Sequence, residues 1–245
     1  KEGSQMVEDL RRLGGEAGVI AGVALGWLLL GILVVWPSAG LSFGAEFNPN
    51  RILPWVHKHE AMFWAVNILG GLLAAVMSVV LYLAAGDRFT NNAPASARIG
   101  ALFGVFGSFG FGAAALLRQY GMGPLSMLYS SNSVGAVHAF RGMSGVLSAA
   151  VAIGEVFTGI AALALAGAMM SEKNYRSPGI VGLIAGAVLI LATFVSPAFL
   201  DGVGLAGAAV WFAWTAWVMR VESGPAFIKW AVGSREGSRS QRRAA

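Results

Sequence analysis

One acidic residue, Glu155, lies inside a long apolar stretch of the chain. An ionised carboxylate there costs several kcal/mol if it is unpaired, so its side chain must face protein and be paired or protonated. Such a group could form a proton or cation site, and a structural hydrogen bond between helices is the alternative. The polar residues that we consider as its partners are Asn67, Thr158, Arg118 and Arg141.

Three histidines and one glutamate form the second candidate site. His57, His59 and Glu60 are close in sequence, and His138 lies in another polar segment. Imidazole and carboxylate groups are ligands for zinc and other transition metals, and His59 with His138 could instead ligate haem. The alternative is that these residues anchor loops at a membrane surface, where amphipathic rings accumulate.

Catalytic motifs are missing from the sequence. The chain has no cysteine, which excludes disulfides, thiolate catalysis and cysteine-ligated metals. It has no phosphate-binding glycine loop that ends in Lys-Ser/Thr, no Gly-x-Ser-x-Gly motif, and no lysine within an apolar run for a Schiff base. We therefore expect no catalytic site and no cofactor beyond bound lipid.

The apolar runs predict the elements that position these residues. The 245 residues are 56% hydrophobic and 12% charged, whereas soluble domains are about one-quarter charged. A membrane-spanning helix needs about 20 mostly apolar residues. We predict an all-α polytopic transmembrane bundle (17–221) between a polar segment (1–16) and a basic tail (222–245), with six spans at 17–36, 61–85, 99–117, 145–170, 179–199 and 203–218.

The segments between the spans carry further expectations. Two long loops are predicted at 37–60 and 119–144. The fourth span could instead be one long helix from Val134, or it could bend at Gly142 or Gly145. A short turn around Asp201 and Gly202 should join the fifth and sixth spans in a helical hairpin.

The distribution of positive charge predicts the topology. With six spans, 13 of the 17 basic residues lie on the side of the termini. Basic residues are enriched on the cytoplasmic side of membrane proteins. We therefore expect both termini in the cytoplasm and place the chain in the cell membrane, specifically a bacterial inner membrane. The net charge of +5 follows from this topology, so no nucleic-acid partner is expected.

Small residues recur at a spacing of four in three spans, which places each set on one helix face. Such faces let helices approach closely in a membrane. The partner could be another span of the chain or another membrane subunit. The residues are Gly18, Gly22, Gly26, Gly100, Gly104, Ser108, Gly112, Gly182 and Gly186.

The last third of the chain resembles a known pattern. Residues 175–186, with Pro178 and Gly182, and then residues 211–214 resemble the last two helices of bacterial six-helix integral membrane proteins of unknown function. The resemblance implies a fold and no activity.

Three functional hypotheses remain open from the sequence. The first is a non-catalytic accessory or structural subunit of a larger membrane complex, in contact with the lipid bilayer and other membrane subunits. The second is a small transporter or channel that uses Glu155. The third is a metal- or haem-binding membrane protein that uses the histidines.

Overall fold

The computed structural model describes residues 2–195 and 198–223, with side chains at 9–195 and 200–222. These residues are almost entirely helical and contain no strand. Six helices are long and apolar enough to cross a membrane, which confirms the predicted all-α bundle of six spans. The spans, numbered 1 to 6 below, are Asp9–Ser38, Glu60–Phe89, Pro94–Ser131, Ser133–Met169, Lys173–Val195 and Leu200–Glu222.

Each span is built from one or more continuous helical segments. Span 1 belongs to a helix that begins at Glu2, so most of the predicted polar segment 1–16 is helical. The predicted basic tail lies almost wholly outside the described residues, which end at Ser223. The helical segments are Glu2–Leu30, Gly31–Val35, Trp36–Ser38, Ala45–Phe47, Pro49–Lys58, Glu60–Trp64, Ala65–Leu72, Leu73–Phe89, Pro94–Ser131, Ser133–Met169, Lys173–Tyr175, Arg176–Val195 and Ala198–Ser223.

Two predicted connections are wrong. The loop at 119–144 is helical, because spans 3 and 4 continue until they meet at Asn132. The Asn132 side chain accepts a hydrogen bond from the Gly135 amide at 2.9 Å and so caps span 4. Span 4 is one continuous helix from Ser133 to Met169, so neither Gly142 nor Gly145 is a helix boundary.

The predicted turn at Asp201 and Gly202 lies inside the helix Ala198–Ser223. The preceding helix is described as far as Val195. The Ser196-Pro197 pair, which the sequence suggests as an interruption of the fifth span, is outside the described residues.

The spans form a closed ring. Each span packs against its neighbours in sequence, and span 6 packs against span 1. Tyr82 of span 2 fills the interior, where its ring contacts those of Trp211 and Phe212 in span 6 at centroid distances of 6.1 and 5.7 Å. Gly15 packs against Arg220, so both ends of the described chain lie at the same end of the ring. We call this the terminal end and the opposite one the distal end.

The spans differ greatly in length. Spans 3 and 4 have 38 and 37 residues, whereas spans 5 and 6 have 23 each. At 1.5 Å per residue, spans 3 and 4 are about 55 Å long, whereas spans 5 and 6 are about 35 Å long. Each span has one of its ends at the terminal end, so spans 3 and 4 extend about 20 Å farther toward the distal end.

A second apolar core fills the distal end. Span 1 is followed by a tight linker in which Gly40 and Gly44 adopt positive φ angles of 92° and 82°, a conformation that glycine adopts without strain. The linker leads to the distal helix Pro49–Lys58, whose Ile52 and Leu53 are fully buried. This core is separate from the larger one among the six spans.

The small residues predicted to mediate packing lie mostly against other spans of the chain. Gly22 faces Ala213 of span 6, Gly186 faces Gly159 of span 4, and Ser108 lies 2.7 Å from Ser78 between their Oγ atoms. The structure places Gly26 in open space. The others contact side chains of spans 2, 4 or 6, and they are Gly18, Gly100, Gly104, Gly112 and Gly182.

An ion-pair network holds the terminal end together. Arg88 of span 2 donates to both carboxylate oxygens of Glu172, at 2.9 and 2.6 Å, and to Glu222 of span 6 at 3.1 Å. Tyr175 donates to Glu222 at 2.8 Å, and Asn92 donates to Glu172. The network therefore joins spans 2, 5 and 6 through side chains that are largely shielded from solvent.

Candidate functional site

Glu155 is buried at the contact between spans 4 and 5, with 3% of its surface exposed. Its Oε2 atom lies 3.0 Å from Thr193 Oγ1, near the distal end of span 5. Thr193 Oγ1 also lies 3.1 Å from the Leu189 carbonyl oxygen in its own helix. Oε1 of Glu155 is buried and has no hydrogen-bond partner among the described residues.

The hydrogen count at Thr193 favours a protonated Glu155. A threonine hydroxyl has one hydrogen, and only one of its two neighbouring oxygens can receive it. If Thr193 donates to Leu189, the carboxyl of Glu155 must supply the other hydrogen. A neutral Glu155 satisfies both contacts and avoids a buried charge.

The partners predicted for Glu155 lie elsewhere. The side-chain amide of Asn67 donates to the Phe63 carbonyl oxygen in its own span at 2.9 Å. Thr158 faces Gly107 of span 3. The structure pairs Glu155 with Thr193, which we did not predict, because a single threonine near a helix end carries no distinctive sequence signal.

Arg118 occupies a separate site at the distal end. Its guanidinium carbon lies 4.8 Å from the centroid of the Trp36 ring and 5.8 Å from that of the Phe63 ring. The two rings stack on each other at 5.7 Å. Arg118 Nε and Trp36 Nε1 are both buried without a hydrogen-bond partner among the described residues. Spans 1, 2 and 3 each contribute one residue to this arrangement, which we call the Arg118 site.

The helices around the Arg118 site are locally widened. Span 1 forms a π-helix at Gly31–Val35, and span 2 forms one at Ala65–Leu72. Gly31 packs against Val66, so the two widened segments face each other. Such segments are rare and often occur at functional sites. Asn67 is buried within the second of them, one helical turn from Phe63.

Arg141 lines a third region, an open cleft of about 550 Å³ at the distal end. The cleft lies between the start of the distal helix, with Asn48 and Asn50, and span 4, with Phe140 and Ser144. The residues that we grouped as one ion site are therefore divided among different places. Glu155, Arg118 and Arg141 do not form a single constellation.

The four predicted metal ligands do not form a cluster among the described residues. His59 stacks on Trp55 at 4.8 Å, and its Nδ1 lies 3.1 Å from the Trp55 carbonyl oxygen. His57 and His138 are exposed, as is Glu60. Across residues 9–195 and 200–222, no three histidine, aspartate or glutamate side chains lie close enough to hold a metal ion.

The distal half of span 4 presents an uncovered face. If Gly142 and Gly145 carried a Cβ, it would meet no atom of the described residues within 4 Å, and Ser148 and Ala149 are also exposed. Their spacing of three and four residues places them on one side of the helix. The described part of span 5 does not cover this face, because Thr193, near the end of that part, lies level with Glu155. We call these four residues the open face.

Comparisons with known proteins do not identify a function for these residues. No protein family, curated protein or solved structure matches the chain.

Proposed function

We propose that this integral membrane protein is a non-catalytic accessory or structural subunit of a larger membrane complex. The observation that carries the proposal is the open face of span 4. The distal end of a transmembrane helix of another subunit, at the level of the headgroups, is its proposed occupant. This role is consistent with buried polar contacts that join helices of the chain itself, such as Ser78–Ser108 and Glu155–Thr193.

The chemistry of the open face suits a helix better than lipid alone. Glycine, serine and alanine let a second helix come close enough for backbone contacts, which stabilise helix pairs in membranes. Most glycines of the other spans already contact neighbours within the chain, whereas Gly142 and Gly145 do not. The ends of spans 5 and 6 leave a step beside span 4, and a partner helix would fill that step.

A steric test separates this proposal from simple lipid contact. The chain would be extracted from its native membrane in mild detergent, and the mass of the particle would be measured for the parent and for Gly145→Trp. We expect a larger complex for the parent and its loss in the variant. Gly167→Trp is the control, since Gly167 is an exposed glycine of the same helix near the terminal end. A parent that is a monodisperse monomer would refute the proposal.

A second candidate function is favoured by Glu155. A buried carboxyl with one unpartnered oxygen is a group that could bind and release a proton or cation. Neither the Arg141 cleft nor the shallow apolar groove between spans 1 and 2 contains Glu155, so we rank this function below the first.

Flux measurements in proteoliposomes test the second candidate. If the chain carries protons or cations through Glu155, Glu155→Gln should abolish the flux while the protein remains folded. Asp9→Asn removes an exposed carboxylate near the terminal end and should leave the flux unchanged. Equal flux in the parent and in Glu155→Gln would remove this candidate.

A further inference from the structure

Arg118 is a cation without a counter-ion in an apolar setting. Its guanidinium rests against Trp36 and Phe63, which are each 1% exposed. Within the part of the chain that the structure describes, no carboxylate forms an ion pair with it, and Glu46 acts on it only at longer range. The aromatic faces attract the cation, but they do not neutralise it.

The position of Arg118 in its span identifies the kind of anion that it can reach. The apolar run of span 3 ends at Leu117, and Tyr120, three residues later, is largely exposed. Tryptophan and tyrosine are enriched where the hydrocarbon meets the headgroups. The Arg118 site therefore lies at headgroup level on the distal side, and Arg118 is itself only partly buried.

The geometry of the guanidinium matches a phosphate group. Arginine offers a planar fork of donors that binds phosphate oxygens in pairs. Trp36 and Phe63 hold this fork in a fixed orientation before a ligand arrives, which reduces the ordering cost of binding. Phospholipids supply phosphate at this depth of a membrane.

We propose that the Arg118 site binds the phosphate of a phospholipid headgroup in the distal leaflet. Trp36 and Phe63 position the guanidinium, and the acyl chains run along the exposed Leu116 and Leu117 of span 3. The site is distinct from the open face of span 4, and it does not depend on the proposed subunit role.

Native mass spectrometry of the full chain in detergent tests the proposal. Phosphatidylglycerol would be titrated against the parent, Arg118→Gln, Arg118→Lys and Arg51→Gln. Arg51 is an exposed arginine of the distal helix, so its variant makes the same charge change away from the site. Diacylglycerol with identical acyl chains serves as the lipid without phosphate.

The parent should retain one phosphatidylglycerol that Arg118→Gln binds at least about tenfold more weakly. Arg51→Gln should match the parent, and Arg118→Lys should fall between them, because lysine keeps the charge but loses the planar fork. Diacylglycerol should bind the parent and Arg118→Gln equally. Inorganic phosphate at millimolar concentration should not displace the lipid.

Several results would overturn the proposal. Equal phosphatidylglycerol affinity in the parent and Arg118→Gln would do so, as would an equal loss in Arg51→Gln. Displacement by inorganic phosphate would assign the site to the free anion. Release of a bound protein by Arg118→Gln, without a change in lipid affinity, would assign it to a partner's carboxylate. If Arg118→Gln does not fold, Arg118→Lys decides, and parental affinity in that variant refutes the proposal.

Discussion

Thr193 Oγ1 lies 3.0 Å from Glu155 Oε2 and joins the short fifth span to the long fourth span near the point where the fifth one ends. Beyond this contact span 4 continues for 22 residues to Ser133, and part of that length is the open face. The contact therefore marks the level beyond which span 4 continues without span 5 beside it.

Removing the hydroxyl at this contact should weaken the bundle. Thr193→Val keeps the shape of the side chain but leaves Glu155 Oε2 without a partner. We expect a loss of about 0.5–1.5 kcal/mol in the free energy of unfolding, the range for interhelical hydrogen bonds in membranes. Reversible unfolding in mixed micelles with increasing sodium dodecyl sulfate would measure it.

The control for this prediction is Glu155→Gln. A glutamine amide can donate to Thr193 just as a protonated carboxyl does, so stability should stay within about 0.5 kcal/mol of the parent. The double variant should then lose no more than Thr193→Val alone. Parental stability in Thr193→Val would contradict the structural role of this contact.

Close packing between spans 3 and 4 should not tolerate an added methyl group at Gly110. A Cβ there would lie 2.6 Å from the Gly154 amide nitrogen and 2.9 Å from its Cα, so the helices would have to separate. We expect Gly110→Ala to lower the unfolding free energy by about 1–3 kcal/mol. Gly167→Ala, in open space on span 4, should be neutral or slightly stabilising. If both variants unfold alike, the predicted helix contact is wrong.

Loss of Arg88 should destabilise the terminal end. Arg88→Met leaves Glu172 and Glu222 without their shared cation, and the Arg88 and Glu172 side chains are only 19% and 18% exposed. We expect a loss of about 2 kcal/mol, below the 3–5 kcal/mol seen when fully buried pairs are broken. The measurement is the thermal unfolding of detergent-solubilised protein.

Arg12 provides the matched control for Arg88. Arg12 pairs with Glu16, one turn later in the same helix, and the two side chains are 69% and 44% exposed. Exposed pairs contribute little, so Arg12→Met should change stability by less than about 0.5 kcal/mol. An equal effect of the two variants would show that Arg88 does not tie the spans together.

The hydroxyl pair between spans 2 and 3 should contribute modestly. Ser108→Ala removes the partner of Ser78 in a buried contact of 2.7 Å. The expected loss is about 0.5–1 kcal/mol in the unfolding assay. Ser130→Ala is the comparison, because the exposed Ser130 donates only to Met127 in its own helix. A smaller effect at Ser108 than at Ser130 would argue against the contact.

The candidate sites were only partly predictable from residue types. Glu155 and Arg118 stand out in the sequence because charge is costly in an apolar run. The residues around them do not stand out in the sequence. Trp36, Phe63 and Thr193 belong to other helices and are residue types that are common in membrane proteins. Our grouping of Glu155 with Asn67, Arg118 and Arg141 assumed that polar residues of neighbouring spans meet, but their depths and helix faces differ.

The sequence by itself determined the helical class and the number of spans, because apolar length and backbone hydrogen bonding in lipid allow few alternatives. It did not determine where the helices end at the distal side. Gly142 falls in the predicted loop 119–144 and Gly145 at the start of the predicted fourth span, yet both lie inside one helix that begins at Ser133. Only the tertiary structure decided which helix faces are covered, because covering depends on the relative lengths of spans that are distant along the chain.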